Sequence, residues 1–414
     1  MDIKQKIEEA NTEAARRINS ANPVLVDVAP AGEVVSGLTD RMVLHSGPPV
    51  EWERMCGAQR GAVIGMCIFE GWASSVNEAT SMLAAGAIKL EPNHHHKAVG
   101  PMAGTITKSL PVWVVENTTY QNRAYCRNVE GQQQFGDYSK EAIDTLRQWR
   151  DVCAPSLRKG LKHAGPLSLK PIITKALQMG DELHNRPNAA TSLFANTMAA
   201  AMIGAGVSKA DLLGTLNTFI WNEFTFLGLS MASAKSAADT AANIPYSTVV
   251  YAMARNGTEF GIRVGGLGDD WFTAPAPPVV GLYVPGFKEA DAGKDMGDSA
   301  ITEVVGWGGF VLGGAPGILS LVGGTAEEAL QFTRDMRQIT VSASPGYLMP
   351  SLNFAGSPVG IDIRKVVQTG IVPVIDTAMA HKDPGYATIG AGIVRAPIDC
   401  FKRALSAFGK KYQS

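Results

Sequence analysis

Three adjacent histidines, His94, His95 and His96, stand in the segment EPNHHHKAVGPMAG of this 414-residue chain. Histidine exchanges protons near neutral pH and is the commonest metal ligand. On an extended strand, His94 and His96 would share one face and His95 would lie on the other. We therefore expect His94 and His96 to act as acid and base. A divalent metal held by the same two side chains is an alternative, and a solvated loop is the plain structural interpretation.

A second polar cluster, MGDELHNRPNAATSLF, precedes an apolar stretch with helical composition. It offers His184 as a catalytic group, and Asn185 and Arg186 as ligands of a small anion. We expect Asn188 to cap the following helix, whose free N-terminus would attract an anion. An elaborate helix cap without any ligand is the structural alternative.

A third cluster, MARNGTEFGIRVGGLGDDWF, carries Arg255, Asn256, Glu259 and Arg263 between several glycines. Glycine lets a backbone approach a ligand closely and expose its N–H groups. In an extended segment Arg255, Glu259 and Arg263 would share one face, with Glu259 as a candidate catalytic carboxylate. Two arginines around one carboxylate suit a small anion, whereas a glycine-punctuated hairpin with local ion pairs is the alternative.

The segment HSGPPVEWERMCGAQRG begins with a rigid Gly-Pro-Pro turn and places Glu51 and Arg54 beside Trp52. Arginine offers forked donors, so this arrangement could bind a planar anion. The start of a surface helix with local ion pairs explains the same residues.

Two weaker clusters complete the set of candidate binding residues. The segment GDSAITE carries Asp298 and Ser299 into a glycine-rich run, and His381 follows a predicted strand, where ligands of α/β proteins often bind. Taken together, the clusters predict one large polar pocket assembled from several loops.

The elements that must position these residues indicate an α/β (α+β) chain. Apolar, β-branched segments at 23–30 and 111–117 alternate with helical segments, and strand-like segments return at 247–253, 278–284 and 371–377. Between them the sequence is rich in Ala, Leu, Met and Lys. We therefore predict two mixed α/β domains, 1–140 and 241–414, and a mainly helical domain at 141–240.

Composition limits the possible partners. The 37 basic and 38 acidic residues leave a net charge of −1, which excludes the overall positive field typical of nucleic-acid-binding domains. The N-terminal segment lacks the apolar core of a secretory signal, the most apolar stretch (304–324) is interrupted by glycines, and five cysteines show no C-x-x-C spacing. We expect a cytoplasmic protein that binds neither membrane nor nucleic acid.

The common catalytic motifs are absent from the sequence. It contains no phosphate loop, no dinucleotide-binding G-x-G-x-x-G after a strand, no H-E-x-x-H and no G-x-S-x-G elbow. No cofactor is therefore predicted.

Over about residues 22–408 the chain resembles a bacterial family whose best-characterised members are a subunit of oxamate carbamoyltransferase. The resemblance rests on the segments LVDVAPAGEVV, GPPVEWERMCG, AVGPMAG, VVENTTYQNRAYC, GDELHNRPNAATSLF, ARNGTEFGIRV, GDSAITE and GIDIRKVVQTGIVPVIDTAMAHKDPG. The chain departs from the family's pattern at His95, where an acidic residue is usual, and at Lys97, where glycine is usual.

The resemblance implies carbamoyl transfer between carbamoyl phosphate and oxamate in allantoin degradation, and two α/β domains with a small helical one. It also implies co-encoded partner subunits, one of them similar to succinyl-CoA synthetase. Such a site needs positive charge and a proton acceptor. The candidates for charge are Arg54, Arg186, Arg255 and Arg263; the candidates for the acceptor are His94, His96 and His184.

The sequence alone leaves three hypotheses about the function open. The first is a carbamoyltransferase subunit that acts in a homo-oligomer and a hetero-complex; the Ser-Thr-Arg-Thr signature of the usual carbamoyltransferases is absent. The second is a metal-dependent hydrolase or lyase of a small amide or carboxylate, using His94 and His96. The third is a non-catalytic subunit that completes the active site of a partner.

Overall fold

The computed structural model describes residues 2–412 and mixes helices and strands along that whole range. The α-helices are α1 (Ile3–Ser20), α2 (Ala31–Val34), α3 (Gly57–Phe69), α4 (Val76–Ala84), α5 (Lys140–Gln148), α6 (Ala154–Ala164), α7 (Lys170–Gln178), α8 (Asn188–Gly204), α9 (Lys209–Trp221), α10 (Thr225–Ala238), α11 (Ile301–Val304), α12 (Leu319–Val322), α13 (Ala326–Gln338), α14 (Ile363–Thr369) and α15 (Ile398–Tyr412).

The strands are β1 (Pro23–Pro30), β2 (Met42–His45), β3 (Lys89–Pro92), β4 (Ala98–Val99), β5 (Pro111–Asn117), β6 (Asn122–Arg127), β7 (Leu167–Ser168), β8 (Val250–Asn256), β9 (Glu259–Val264), β10 (Phe272–Pro275), β11 (Val280–Tyr283), β12 (Met296–Gly297), β13 (Thr340–Met349), β14 (Ala355–Ile361), β15 (Val374–Ala380) and β16 (Thr388–Arg395). The α+β class predicted from the sequence is confirmed.

Local sequence signals explain several element boundaries. The Ser75 side chain accepts a hydrogen bond from the backbone N–H of Glu78 and so caps α4. Thr325 and Glu328 form a reciprocal capping box at the start of α13. These caps satisfy backbone N–H groups that have no partner inside the helix, which is why the helices begin at these residues.

The sheet nearest the N-terminus has the strand order β4-β6-β5-β1-β7, with β5 antiparallel to both β1 and β6. All of β5 except Glu116 is buried, which requires layers on both faces of the sheet. Helix α10 supplies one of these layers, because it packs against β5 and β6.

Helix α10 can lie close to the sheet because Gly228 has no side chain. A Cβ at Gly228 would lie 2.8 Å from both the Arg127 carbonyl oxygen and the Trp113 ring. Every residue of α10 is buried, including Lys235, whose Nζ lies 2.6 Å from Asp239. The helix also contacts α11, so it connects the first sheet to the segment that carries Glu303.

The remaining strands form three further antiparallel groups, β10-β9-β8-β12, β11-β16-β15 and β13-β14, and one parallel pair, β2-β3. Helix α1 packs against β13 and β14, and the buried Asn11 side chain donates hydrogen bonds to Thr248 and Asp362. Strand β7, beyond residue 140, completes the first sheet. Because this sheet extends past residue 140, the structure does not establish the domain limits 1–140, 141–240 and 241–414, which remain predictions. Within residues 2–412, no helix is both long and apolar enough to cross a membrane.

Asp298 joins segments that are far apart in the chain. Its buried carboxylate accepts hydrogen bonds from the backbone N–H groups of Gly47 (2.8 Å) and Gly100 (3.0 Å) and from the Asn93 side chain (2.9 Å). Burial raises the pKa of Asp298 to about 7, because the ionised form loses its hydration. The sequence predicts that Asp298 binds substrate. In the structure its carboxylate instead joins the loops that carry Gly47, Asn93 and Gly100.

We predict that Asp298→Asn lowers the free energy of unfolding by about 1–3 kcal/mol, because the amide turns an N–H group toward buried donors that need an acceptor. Urea unfolding at neutral pH measures this loss. Asp270→Asn, which changes an exposed carboxylate in the same way, serves as the control and is expected to be neutral. Equal stabilities of the two variants would contradict the role of Asp298.

Candidate functional site

One cavity of about 780 Å³ gathers residues from distant parts of the described chain. Its apolar wall includes Val129, Phe135, Leu227, Leu282 and Val284. Its polar lining consists of Glu130, Gln132, Gln134, Gln148, His184, Asn185, Asn217, Asn222, Ser299, Thr377 and Thr388, among others. Of the predicted site residues, the structure brings His184, Asn185 and Ser299 together here.

His184 lies at the floor of this cavity, with its side chain 3% exposed. Its Nδ1 lies 2.8 Å from Glu303 Oε1 and 3.8 Å from Asp376 Oδ1. Because Nδ1 faces these carboxylates, Nε2 is the ring nitrogen left for a ligand in the cavity. Burial alone would lower the pKa of His184, but the Glu303 and Asp376 charges raise it above its usual value.

Three buried carboxylates surround this single imidazole. Glu303 accepts hydrogen bonds from the Thr302 hydroxyl (3.0 Å) and the Gly309 N–H (2.9 Å). Glu182 accepts the backbone N–H of His184 at 2.7 Å. Burial raises the pKa of Glu182 well above its usual value, and the neighbouring Asp376 charge adds to this.

Asp376 is the least satisfied of the three carboxylates. Both of its oxygens are buried, and neither has a hydrogen-bond partner among the described residues. Burial raises the pKa of Asp376 to about 7. A buried polar group without a partner is uncommon and costly, so this carboxylate needs a proton or a ligand. One potential ligand atom from each of His184, Glu303 and Asp376 lies within 4.8 Å of the others, close enough to hold a metal ion.

Gly308 allows these side chains to approach each other. Its φ is +58°, and a Cβ there would lie 2.0 Å from Glu303 Oε1 and 3.1 Å from Asp376 Oδ1. Its backbone N–H donates to the Glu182 carbonyl oxygen at 2.7 Å. A side chain at position 308 would therefore collide with the carboxylates and strain the backbone.

Arg255 supports the cavity wall from behind. Its Nε lies 2.8 Å from Asp295 Oδ2, and its Nη1 donates to the Gly297 carbonyl at 2.7 Å. The guanidinium also donates to the hydroxyl oxygens of Ser299 (3.3 Å) and Thr377 (3.1 Å), which line the cavity. Because these oxygens accept from Arg255, both hydroxyl protons are free to point into the cavity.

Unpaired amides add to the polar wall. The buried amide of Gln134 has no hydrogen-bond partner at either atom, and Asn185 Nδ2 has none, counting the described residues only. Glu130 Oε2 is unpaired in the same sense, while the other oxygen contacts Arg127. Such groups at a cavity wall indicate a ligand that completes their hydrogen bonds. Sequence reasoning missed Gln134 and Glu130, although the run EGQQQFG directly after a strand was a signal.

The histidine block does not form the predicted pair. Residues 93–96 form a 3₁₀ turn rather than a strand, so His94 and His96 do not share a face. His94 is buried edge-on against Trp271, with ring centroids 5.4 Å apart. His96 Nδ1 lies 3.0 Å from the Ser36 carbonyl oxygen. Neither lines the cavity, so the structure does not place the two histidines together in it.

The predicted common face of Arg255, Glu259 and Arg263 is also wrong. The segment folds into a hairpin in which Arg255 pairs with Phe260 and Arg263 pairs with Ala252, which places the two arginines on opposite faces. Arg263 donates to the Asp269 carbonyl oxygen, and Glu259 lies 3.4 Å from the largely exposed Arg54.

The other predicted residues serve local structure. Exposed Glu51 begins a 3₁₀ turn, and Asn256 donates to the Pro48 carbonyl at 3.0 Å. His381 stacks on Tyr386, with centroids 3.8 Å apart. None of these residues lines the cavity.

The predicted cap of α8 needs correction. Asn188 is the first residue of the helix rather than its cap, and the Asp181 carboxylate accepts the N–H groups of Ala189 and Ala190 at 3.1 and 2.8 Å. The helix N-terminus is therefore already occupied. Arg186 lies 3.7 Å from the same carboxylate, outside the cavity lining.

We predict that Gly308→Ala lowers the free energy of unfolding by about 1–3 kcal/mol more than a glycine replacement without a collision. The matched control is Gly370→Ala, where φ is +73° and a Cβ would meet no atom within 4 Å. Chemical denaturation of both variants measures the difference. Equal losses would show that the carboxylate cluster tolerates a side chain at position 308.

Comparisons with known proteins identify the family. A family model described as "Oxamate carbamoyltransferase subunit AllG" matches residues 88–299. The chain is 45% identical over 414 residues to the uncharacterized protein YahG of Escherichia coli K12, covering 99% of this chain and 88% of YahG. It is 40% identical over 410 residues to the oxamate carbamoyltransferase subunit AllG of the same organism, covering 98% of both.

A solved structure has the same fold over nearly its full length. The crystal structure of a conserved protein of unknown function from Enterococcus faecalis V583 superposes with a TM-score of 0.96, at 40% identity and 99% coverage of both chains. These matches cover the segments that form the cavity. The chain belongs to the family of the oxamate carbamoyltransferase subunit AllG.

Proposed function

We propose that this chain is a subunit of an enzyme that transfers a carbamoyl group between carbamoyl phosphate and oxamate, in nitrogen catabolism from allantoin. The observation that carries the proposal is His184, held at Nδ1 by Glu303 and lining a cavity whose wall includes unpaired buried amides. The family supports the reaction class, since the AllG relative is described as an oxamate carbamoyltransferase subunit.

The unpaired amides suit oxamate, which consists of a carboxamide joined to a carboxylate. The Gln134 side chain offers one donor and one acceptor, the complement of a carboxamide. Asn185 Nδ2 offers a further donor for a carboxylate oxygen. Pairing these groups with a ligand would remove the cost of burying them without partners.

In the transfer step, the amide nitrogen of oxamate attacks the carbonyl carbon of carbamoyl phosphate. A C–N bond forms, the bond from that carbon to the bridging oxygen breaks, and phosphate leaves with the electron pair. The departing phosphate accepts the proton that the nitrogen loses. Donors aimed at the developing charge lower the barrier, and the hydroxyls of Ser299 and Thr377 and Nε2–H of His184 are the donors available here.

The lining also explains the description of the AllG relative as a subunit. None of the described residues that line the cavity is Arg or Lys, whereas carbamoyl phosphate carries negative charge at neutral pH. The cavity, at about 780 Å³, is far larger than either small reactant. Both observations support a hetero-complex in which a co-encoded partner closes the site and contributes cations.

The same observations favour a second candidate function, a subunit that binds no reactant itself and only completes a partner's site. It differs from the first in what His184 does, because a purely structural subunit does not need a proton donor in the cavity.

We predict that His184→Gln reduces kcat by about 10²–10⁴-fold when the variant is assembled with its co-encoded subunits. Phosphate release from carbamoyl phosphate in the presence of oxamate measures the rate. His163→Gln, at an exposed position of α6 away from the cavity, is expected to leave the rate unchanged. A fully active His184→Gln complex would favour the structural subunit, and no phosphate release by the wild-type complex would refute carbamoyl transfer.

A further inference from the structure

The buried groups around His184 carry more negative than positive charge. Arg255 is paired with Asp295, which leaves Glu182, Glu303 and Asp376 around the single imidazole of His184. The carboxylates of Glu303 and Asp376 are fully buried. Buried carboxylates at such short separations cannot all remain ionised without a compensating cation or proton.

Among the described residues, the Asp376 carboxylate has no hydrogen-bond donor beside it. Its two buried oxygens have no hydrogen-bond partner in residues 2–412, and Oδ1 points toward His184 Nδ1 at 3.8 Å, too far for a hydrogen bond. Glu303, in contrast, already receives three hydrogen bonds from its surroundings. A cation between these groups would bind both oxygen donors that the protein leaves close together.

The distances suit one small divalent ion. Two ligands bound at about 2.1 Å lie roughly 3.0–3.4 Å apart at octahedral or tetrahedral angles. The distances from His184 Nδ1 to Glu303 Oε1 and Asp376 Oδ1, 2.8 and 3.8 Å, bracket that value. All three potential ligand atoms lie within 4.8 Å of one another, so side-chain adjustment could bring them to a common ion.

Neighbouring groups hold these side chains in place. The Gly309 N–H and the Thr302 hydroxyl orient Glu303, and Glu182 binds the backbone of His184. Fixed outer contacts of this kind are typical of metal ligands, whose orientation they set. Because Gly308 has no side chain, Glu303 and Asp376 can both lie close to its backbone.

We propose that His184 Nδ1, Glu303 and Asp376 bind one divalent transition-metal ion, Mn²⁺ or Zn²⁺, behind the imidazole of His184, on the side away from the cavity. One imidazole and two carboxylates suit these two ions. The ion replaces the proton between Nδ1 and Glu303, and that proton is released to solvent. Nε2–H of His184 stays a donor toward the cavity.

The ion also extends the proposed function, and its catalytic role rests on that function. Glu303 and Asp376 do not line the cavity, so the ion lies behind the imidazole and acts on the cavity only through His184. The alternative is a metal-free pair, in which Glu303 and Asp376 share a proton.

The test uses the full-length chain, stripped with EDTA and dialysed, and titrated with MnCl₂ and with ZnCl₂ in a calorimeter. We expect one saturable site per chain, with release of a proton that makes the heat depend on the buffer. Asp376→Asn should weaken the affinity at least about tenfold, as even the loss of outer-shell contacts does in metal sites. Bound Mn²⁺ should show nitrogen coupling in its electron paramagnetic resonance spectrum, which His184→Gln abolishes.

Asp383→Asn is the matched control, because it removes an exposed carboxylate near His381 and should keep wild-type affinity. Circular dichroism shows whether each variant is folded, and the wild-type titration and its nitrogen coupling decide the question even if a variant unfolds. The proposal is overturned if the wild-type chain binds neither ion at millimolar concentration, or if both Asp376→Asn and His184→Gln bind like the wild type.

The outcomes separate the ion from the reaction. Metal binding at this cluster in a complex that transfers no carbamoyl group supports the site and refutes only the proposed function. Carbamoyl transfer that persists unchanged in a metal-free, EDTA-treated complex refutes a role of the ion in the reaction and leaves the proposed function standing, while the titration alone decides whether the site binds the ion.

Discussion

The contact between His184 and Glu303 is the interaction on which the rest of the site depends. It joins residues 119 positions apart, in a place where the imidazole is 3% exposed and the carboxylate is fully buried. A pair of this kind is stable only if every remaining polar atom around it is also satisfied. The backbone N–H of Gly309, the Thr302 hydroxyl and the Glu182 carboxylate meet that requirement. Of the carboxylates near His184, Asp376 is the one with neither oxygen hydrogen-bonded to a described residue.

Arginine has a mainly architectural role near this site. Arg255 and Arg127 are both fully buried, and their guanidinium N–H groups donate hydrogen bonds to neighbouring carbonyls, hydroxyls and carboxylates. A buried guanidinium with five donors can fix several loops at once, which is why it suits the junction of separate sheets. The sequence showed the arginines but not how many of their donors the protein itself would use.

Sequence reasoning succeeded where the determining contacts are local. The strands predicted at 23–30 and 111–117 are present, because their apolar, β-branched composition is itself a local signal. It failed where pairing across the chain decides. The hairpin that separates Arg255 from Arg263 and the 3₁₀ turn that splits the histidine block both override the extended geometry assumed for them. Glu303 and Asp376 lay within recognised polar segments, yet only the fold places them beside His184.

The docking of α1 has a consequence for how the protein is made. Asn11 hydrogen-bonds with Asp362, 351 positions further along the chain. At ribosomal speeds of about 5–20 residues per second, the interval between the emergence of these two residues is on the order of tens of seconds. During that interval α1, whose buried residues include Ile7 and Ile18, can contact α10 but not yet β13 and β14, against which it also packs. The first helix of the nascent chain therefore completes its packing only after most of the chain has been synthesised.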